Sequence, residues 1–286
     1  MTVFIDIVGV GVIIPVLPYY IKSFGTSDVV VTLLVAVFAL LSFVSAPMLG
    51  TLSDKIGRRP VLIGSIISTS IGWLIFAWAP SVIWLFIGRI IDGLAAGNIT
   101  TAQSSMADIS PDDKTRASNM GLIGALFGIG FIVGPVIGGL LGSIGPTVPF
   151  WFVGILAGIN AILAYFFLPE THHTKNTDTK VSLNPMKPVI DGFRNREMRA
   201  LFGVWFLFGV GVAIQQGTFA LYMANVFGYT ESMIGVLFGI IGVLIVINQM
   251  ALMKQVWLKY FKEKLLAQIM LVVFSFGMIL ISVPTI

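Results

Sequence analysis

Residues 29–60 read VVVTLLVAVFALLSFVSAPMLGTLSDKIGRRP, a long apolar run that ends in a short charged turn. Residues 29–50 carry no charged side chain. A helix needs about 20 mostly apolar residues to cross the hydrocarbon core of a bilayer, because every backbone amide must be satisfied within the segment. Basic residues beside a span tend to remain in the cytoplasm. The stretch therefore predicts a membrane-spanning helix that ends in a basic cytoplasmic loop.

The same pattern predicts a polytopic membrane protein made only of helices. The 286 residues are 57% hydrophobic and 10% charged, and the mean hydropathy is +0.98. A soluble domain carries about 25% charged residues, so composition argues against one. The predicted spans are residues 3–22, 29–50, 60–79, 82–107, 117–142, 148–168, 199–223, 232–253 and 265–284.

The basic residues indicate how the spans are oriented. Lysines and arginines follow spans 2, 4, 6 and 8, whereas the opposite side offers only Lys22. We therefore expect the basic loops and the N terminus to lie in the cytoplasm, and the chain to be a multi-pass protein of the cytoplasmic membrane. Span 1 follows Met1 without a basic leader or a cleavage site, so we expect no cleaved signal peptide. The charge of +4 reflects this topology rather than nucleic-acid binding.

A polar segment divides the chain. We expect a six-helix N-terminal bundle at residues 1–168, a cytoplasmic linker at 169–198, and three helices of a C-terminal bundle at 199–286. The first part of the linker is too polar to bury a core, so we expect it to be disordered. Residues 191–199 fit either a short amphipathic surface helix or an ordinary solvated connector.

An internal repeat supports this division. The junction of spans 1 and 2 recurs at the junction of spans 7 and 8, roughly 200 residues later, and repeated halves are typical of transporter folds. On this register the second half lacks counterparts of spans 4, 5 and 6, so we expect the chain to be truncated. The matched pairs are Tyr19 and Tyr222, Phe24 and Phe227, Gly25 and Gly228, Ser27 and Thr230, and Asp28 and Glu231.

Residue types that would serve an enzyme or a metal site are scarce. Cysteine is absent, which excludes disulfides and thiolate ligands. The two histidines, His172 and His173, are adjacent in the polar linker, where a solvated stretch is favoured over a metal site. The chain also lacks a hydrolytic signature and the phosphate-binding loop of an ATP-driven pump. We expect a non-enzymatic protein without a cofactor, powered by an ion gradient.

The charged turn at residues 50–59 resembles the signature G-x-L-x-D-[RK]-x-G-R-[RK] of the major facilitator superfamily. Its glycines permit a tight turn, and its arginines can bridge carboxylates. The resemblance implies a major facilitator fold and a conformational latch, in which Asp54 and Arg58 form a charge network with Asp108. The alternative is a simple charged turn. The matched residues are Gly50, Asp54, Gly57, Arg58 and Arg59.

Span 4 contains Arg89, Asp92, Gly93 and Gly97, which are similar to the second motif of the same family, R-x-x-x-G-x-x-x-[AG]. Arg89 lies about seven residues, or roughly 10 Å, from the outer end of the span. Such a charge is costly unless it is paired or faces water, so we expect it to point into the bundle. Asp92 shares its helix face. A structural ion pair and a role in proton handling both remain open.

Span 5 carries glycines at four-residue intervals, which form one smooth stripe on a helix and permit close approach of another helix. The segment resembles the motif G-x-x-x-G-P-x-x-G-G of the drug:proton antiporter branch of the family. Gly235, Gly239 and Gly242 of span 8 could supply a facing surface of small residues. The span 5 residues are Gly130, Gly134, Pro135, Gly138, Gly139 and Gly142.

Span 1 is similar to the start of tetracycline-efflux and related multidrug exporters, and Asp6 is its only ionisable residue. A desolvated carboxyl can exchange protons, so Asp6 is a candidate for coupling or substrate contact; a hydrated interfacial Asp is the alternative. In those exporters spans 3 and 9 each carry an Asp, where this chain has Gly72 and Phe274. Magnesium-chelated tetracycline is therefore disfavoured. Further polar candidates, for a cavity lining or for interhelical hydrogen bonds, are Gln215, Gln216, Asn248 and Gln249.

These resemblances imply a proton-coupled secondary transporter that exports lipophilic small molecules or drugs by alternating access. Its partners would be the small lipophilic substrate, protons and the lipid bilayer. The alternative is a truncated, non-transporting membrane fragment or assembly partner, and an import uniporter is a weaker third possibility. Substrate identity and oligomeric state stay open.

Overall fold

The computed structural model describes residues 2–172, 190, 193–195, 199–261 and 263–282. Within these ranges the ordered elements are helices and there is no strand. The expectations for the linker at 173–189 and 196–198, and for most of an amphipathic helix at 191–199, lie outside the described residues. The helices are α1 Thr2–Ile13, α2 Leu17–Lys22, α3 Asp28–Ile56, α4 Arg58–Trp78, α5 Val82–Leu94, α6 Asn98–Asp108, α7 Asp113–Ile144, α8 Val148–Phe167, α9 Arg199–Phe227, α10 Glu231–Ile247, α11 Leu258–Tyr260 and α12 Glu263–Ser282, with a π-helical segment at Asn248–Trp257.

The predicted all-α membrane architecture is confirmed. In the described part of the chain, six helical stretches are long and apolar enough to cross a membrane, and α1, α10 and the Gln268–Ile279 part of α12 are shorter apolar helices. Span 1 is divided into α1 and α2 around Pro15, because proline has no N–H to continue the helical hydrogen bonding.

Span 4 is long and apolar enough to cross a membrane at Val82–Asp108, and two helices form it rather than one. α5 ends at Leu94 and α6 begins at Asn98. Gly97 favours a break because glycine is a poor helix former. It also packs so closely on α3 that an added Cβ would lie 2.9 Å from Cδ1 of Leu49. The break places the polar side chain of Asn98 at the middle of the span.

An aromatic cluster joins α2, α4 and α8. The rings of Tyr20 and Phe150 have centroids 4.6 Å apart, and the Tyr20 hydroxyl donates to the carbonyl of Phe76 at 2.8 Å. Trp73 completes the cluster with its ring 5.4 Å from that of Phe76. All four side chains are buried, so these helices pack as one body around the cluster.

Helix α7 packs between α1 and α10, and its glycines face both. An added Cβ at Gly134 would lie 2.7 Å from Cα of Gly11 in α1. On the other side, an added Cβ at Gly235 of α10 would lie 2.5 Å from the carbonyl oxygen of Pro135. Gly139 likewise faces Gly235. The facing surface that the sequence predicted for span 8 is therefore confirmed, and it joins the two halves of the chain.

The internal repeat is visible in the backbone. Gly25 and Gly228 adopt left-handed conformations with φ of +70° and +66°, which glycine tolerates because it has no Cβ. Two residues later Ser27 and Thr230 occupy the N-cap positions of α3 and α10, with φ of −79° and −81°. The matched residues thus make the same turn in both halves.

At this end of the molecule, polar side chains link the two halves. Lys22 Nζ lies 2.6 Å from Oδ1 of Asn225 and 3.1 Å from Oδ1 of Asp28. Asn225 Nδ2 donates to Asp28 at 2.8 Å, and the hydroxyl of Tyr19 donates to the carbonyl of Tyr229. We call Lys22, Asp28 and Asn225 the outer junction. Asn225 is the repeat counterpart of Lys22.

Candidate functional site

A chain of polar side chains crosses the interior of the N-terminal helices. Asn98, the first residue of α6, donates from Nδ2 to Asp6 of α1 at 3.0 Å and contacts Thr69 Oγ1 of α4 at 3.4 Å. Thr69 in turn hydrogen-bonds Asp92 of α5. We call Asp6, Thr69, Arg89, Asp92 and Asn98 the polar network. It forms where span 4 is broken, because the break lets Asn98 turn toward α1.

Arg89 and Asp92 form the charged end of this network. Arg89 Nη1 lies 3.8 Å from Asp92 Oδ2, and both residues are buried. The guanidinium also lies over the Trp73 ring, 4.3 Å from its centroid, which adds a cation–π interaction. Arg89 Nε has no hydrogen-bond partner among the described residues. The expected inward orientation and the expected partner of Arg89 are both confirmed.

Close packing of α4 against α5 holds the network in place. An added Cβ at Gly72 would lie 2.8 Å from the carbonyl oxygen of Gly88 and 3.0 Å from Cβ of Asp92. An aspartate in place of Gly72 would therefore enter the space that Asp92 fills. Close packing at Gly72 therefore explains why this chain lacks the span 3 aspartate that the similar exporters carry.

Among the described side chains, the polar candidates of the second half make no hydrogen bond to this network. Asn248 accepts a hydrogen bond from Nε1 of Trp257 at 2.7 Å within its own helical segment, so this bond is local and not interhelical. Gln215 is half-buried on α9. The side chains of Gln216 and Gln249 lie outside the described residues, and the structure places neither.

The charged turn between α3 and α4 forms a second cluster. Arg58 Nη1 lies 2.6 Å from Asp54 Oδ1, and Arg58 Nε lies 2.9 Å from Asp108 Oδ2. The expected network is present, with the buried hydroxyl of Ser53 as a further acceptor for Arg58 at 2.6 Å. Gly50 has open space around it, with no atom within 4 Å of an added Cβ. A tight contact therefore does not explain why a glycine stands there.

Glu170, which the sequence analysis placed in the linker, belongs to this cluster. Its Oε1 accepts from the backbone N–H groups of Arg58, Thr171 and His172 at 2.9, 3.0 and 3.0 Å, and its Oε2 accepts from that of Arg59 at 3.2 Å. Burial alone would raise the pKa of Glu170, but these hydrogen bonds outweigh it and hold the pKa below its usual value. Gly57, with φ of +112°, leaves room for the carboxylate. The signal available in the sequence was an acidic residue directly after span 6.

These features describe a helical membrane bundle with an interior polar network and a charged turn at one end. The profile of the Major Facilitator Superfamily matches residues 1–286, and the chain belongs to that family. The family consists of transporters, so the expectation of a non-enzymatic protein is confirmed.

Curated relatives are resistance proteins. The chain is 36% identical over 250 residues to "Tetracycline resistance protein, class C" of Escherichia coli, a match that covers 85% of this chain and 62% of the relative. It is 30% identical over 246 residues to "Quinolone resistance protein NorA" of Staphylococcus aureus, covering 82% and 60%. The chain thus spans about 60% of the length of the curated relatives that it matches.

Solved transporter structures share the fold. The human organic anion transporter MFSD10 (TETRAN) superposes with a TM-score of 0.71 at 21% identity, over 89% of this chain and 70% of that one. The nucleoside transporter NupG superposes with a TM-score of 0.66 at 14% identity, over 88% and 64%. At these identities the likeness concerns the fold.

Proposed function

We propose that the protein exports lipophilic small molecules across the cytoplasmic membrane in exchange for protons, by alternating access. The basic loops and the N terminus would lie in the cytoplasm. Since the relatives are named for resistance to tetracycline and quinolones, drugs of these two classes are the first substrates to test. The missing aspartate at Gly72 makes a quinolone the preferred candidate.

The position of Asp6 carries this proposal. The carboxylate of Asp92 is paired with Arg89, whereas Asp6 is held by the neutral amide of Asn98. An amide N–H can donate to a carboxylate and to the carbonyl oxygen of a protonated carboxyl group. Asp6 can therefore gain or lose a proton without losing its partner, which a coupling group requires. The hydrogen-bonded chain through Asn98 and Thr69 offers a route by which substrate binding and protonation influence each other.

The seam between α7 and α10 supports alternating access. The two halves meet there through glycines: Gly139 packs on Gly235, while Val136 and Ile132 of α7 pack against Gly239 and Gly242. In two-bundle transporters the halves move against each other as nearly rigid bodies. The charged turn would stabilise one of the two arrangements, with Arg58 as its centre and Asp54, Asp108 and Glu170 around it.

The test is proton release from inverted membrane vesicles, followed with a pH-sensitive dye when a quinolone or a lipophilic cation is added. We expect substrate-driven proton release with the native chain. Asp6→Asn keeps the shape and still accepts from Asn98, so it should abolish the release at unchanged abundance. Asp113→Asn, which neutralises an exposed carboxylate in the first turn of α7, is the matched control. Equal proton release by the Asp6 variant and the control would contradict the role of Asp6.

A second candidate function is that of a membrane fragment or assembly partner that does not transport. Large apolar side chains stand exposed on the second half: Leu207 is 70% exposed, Val272 68% and Phe276 60%. Such surfaces fit lipid, but they also fit further helices. Proton release by the native chain alone would exclude this alternative, whereas release that needs the remaining length of a relative to be supplied would favour it.

A further inference from the structure

An apolar groove runs along the outside of the bundle between α4 and α8, with a volume of about 320 Å³. Side chains at four-residue intervals form its walls. Ser70 in its floor is satisfied by the carbonyl of Gly154 at 2.7 Å, so the groove presents an almost wholly apolar surface. The wall residues are Ile63, Ile67 and Ile71 on α4, and Gly158, Ile162 and Phe166 on α8.

The α4 wall of the groove ends at the basic side chain of Arg59. Arg59 precedes Ile63 by four residues and therefore lies on the same helix face. Its guanidinium donates to the carbonyl of Tyr165, and it lies over that residue's ring, 5.7 Å from the centroid. Tyr165 itself lines the groove. From Arg59 to Ile71 the helix rises about 18 Å, close to the roughly 15 Å depth of one leaflet's hydrocarbon.

The charge at the end of the groove is available to a ligand. Arg58 is paired with Asp54 and Asp108. The Arg59 guanidinium instead donates to a carbonyl, and in the described part of the chain no carboxylate forms an ion pair with it. A guanidinium has five N–H donors, so several remain for a phosphate. Tyr165 is an amphipathic ring of the kind that sits at the membrane interface.

We propose that this groove binds one anionic glycerophospholipid of the leaflet on the basic side of the membrane. An acyl chain lies between the isoleucines of α4 and α8, and the phosphate contacts Arg59. The lipid seals the outer face of the α4–α8 pair next to the charged turn. Anionic lipid could thereby influence the turn through Arg59, whose backbone N–H is bound to Glu170.

The chain contains its own control groove. A second apolar groove, of about 350 Å³, lies between α7 and α10, and its described lining has no basic residue. Ile67 in the first groove is 44% exposed and Ile240 in the second is 54% exposed. Since the native chain has no cysteine, Ile67→Cys and Ile240→Cys each accept a single fluorophore.

The experiment places each labelled chain in phosphatidylcholine vesicles that contain a minor fraction of lipid with a spin-labelled acyl chain. The spin-labelled lipid is phosphatidylglycerol in one series and phosphatidylcholine in the other. We expect phosphatidylglycerol to quench the Ile67→Cys label several-fold more than phosphatidylcholine, and the two lipids to quench the Ile240→Cys label equally. Arg59→Gln should reduce the preference about fivefold, the effect of one basic residue near the headgroups. Arg116→Gln, a matched loss of an exposed charge on the same side, should leave it intact.

Three outcomes would overturn the proposal. Equal quenching by the two lipids at the Ile67→Cys label means that the groove does not select the headgroup. Failure of both lipids to quench that label, while the Ile240→Cys label is quenched, means that protein covers the groove. A preference that survives Arg59→Gln means that another group binds the phosphate. Each readout is independent of transport, so the result stands whatever the outcome for the proposed function.

Discussion

The side chain of Glu170 joins two helices through backbone hydrogen bonds. Its carboxylate accepts four backbone N–H groups and connects the end of α8 to the first residues of α4. The first N–H groups of a helix have no partners within the helix, and an acidic group placed there also interacts favourably with the helix dipole. Glu170 therefore caps α4 from outside that helix, where the sequence has glycine and arginine rather than a capping side chain.

Glu170→Gln should destabilise the chain at neutral pH by about 1 kcal/mol, because a neutral amide binds backbone N–H groups less strongly and has a single acceptor oxygen. Partial exposure of Glu170 argues against a larger value. The native pKa of Glu170 is lowered, so its stabilisation is complete above the usual value of about 4.3 and is lost as pH falls through the lowered pKa. Thermal unfolding of both chains in detergent, from neutral to acidic pH, should show the difference shrinking below about pH 4.

The control is Asp113→Asn, which removes an exposed carboxylate elsewhere. A difference between native chain and Glu170→Gln that stayed constant across the acidic range would contradict the role given to the ionised carboxylate.

At the scale of single residues, the sequence predicted the contacts that belong to a recognisable motif. Asp54 and Arg58 could be grouped from sequence because both belong to one motif, and the family resemblance added Asp108; each of the two carboxylates lies within 3 Å of Arg58. Glu170 and Asn98 could not, because each finds its partner only after distant helices pack. The sequence shows an acidic residue directly after span 6 and an asparagine within an apolar span, but neither position identifies the distant partner.

Among the helices, α7 makes the close contact between the two halves of the chain. Its glycines face α1 on one side and α10 on the other, while Gly124, nearer its start, has no atom within 4 Å of an added Cβ. The same residue type thus serves close packing at one point of the helix and lies in open space at another. Periodicity alone predicted the stripe, but it could not tell which glycines touch a neighbour.

Two glycine-to-alanine changes on this helix should have opposite effects on stability. Gly139→Ala places a Cβ 2.9 Å from the carbonyl oxygen of Glu231, a backbone atom that cannot move alone, so we expect a loss of about 1–3 kcal/mol. Gly124→Ala meets nothing and gains up to about 1 kcal/mol of helix propensity. Thermal unfolding midpoints in detergent measure both. Shifts of the same sign and size would show that the seam is looser than the structure indicates.

Helix boundaries were less predictable than helix existence. The nine apolar stretches correspond to helices, yet the interruption of span 4 at residues 95–97 had no proline to signal it. Gly97 disfavours a helix locally, and it also packs against Leu49 of α3. The break also creates the polar network, so the least predictable part of the fold is the part that positions Asp6.

At the scale of the whole molecule, the two ends differ in charge and in contacts. The charged turn, the loop before α7 and Glu170 gather at one end, whereas the outer junction occupies the other. The positive-inside rule places the first end in the cytoplasm. This orientation remains a prediction.

Single cysteines in this cysteine-free chain would test the orientation. Ser27 and Pro111 are exposed, lie in loops at opposite ends, and have no side-chain hydrogen bond among the described contacts. Ser27→Cys should react with an impermeant thiol reagent in intact cells, and Pro111→Cys should react only after permeabilisation. The reverse labelling pattern would invert the topology, and with it the leaflet assigned to the lipid groove.

The outer junction also limits how a protein of this kind can arise by gene duplication. Lys22 and Asn225 hold equivalent positions in the two repeats, and their side chains touch. Two identical copies would bring two identical residues together at that point, and a pair of lysines would repel each other. Divergence at that position therefore removes a repulsion that two lysines would cause. In this chain the side-chain amide of Asn225 accepts a hydrogen bond from Lys22 and donates one to Asp28.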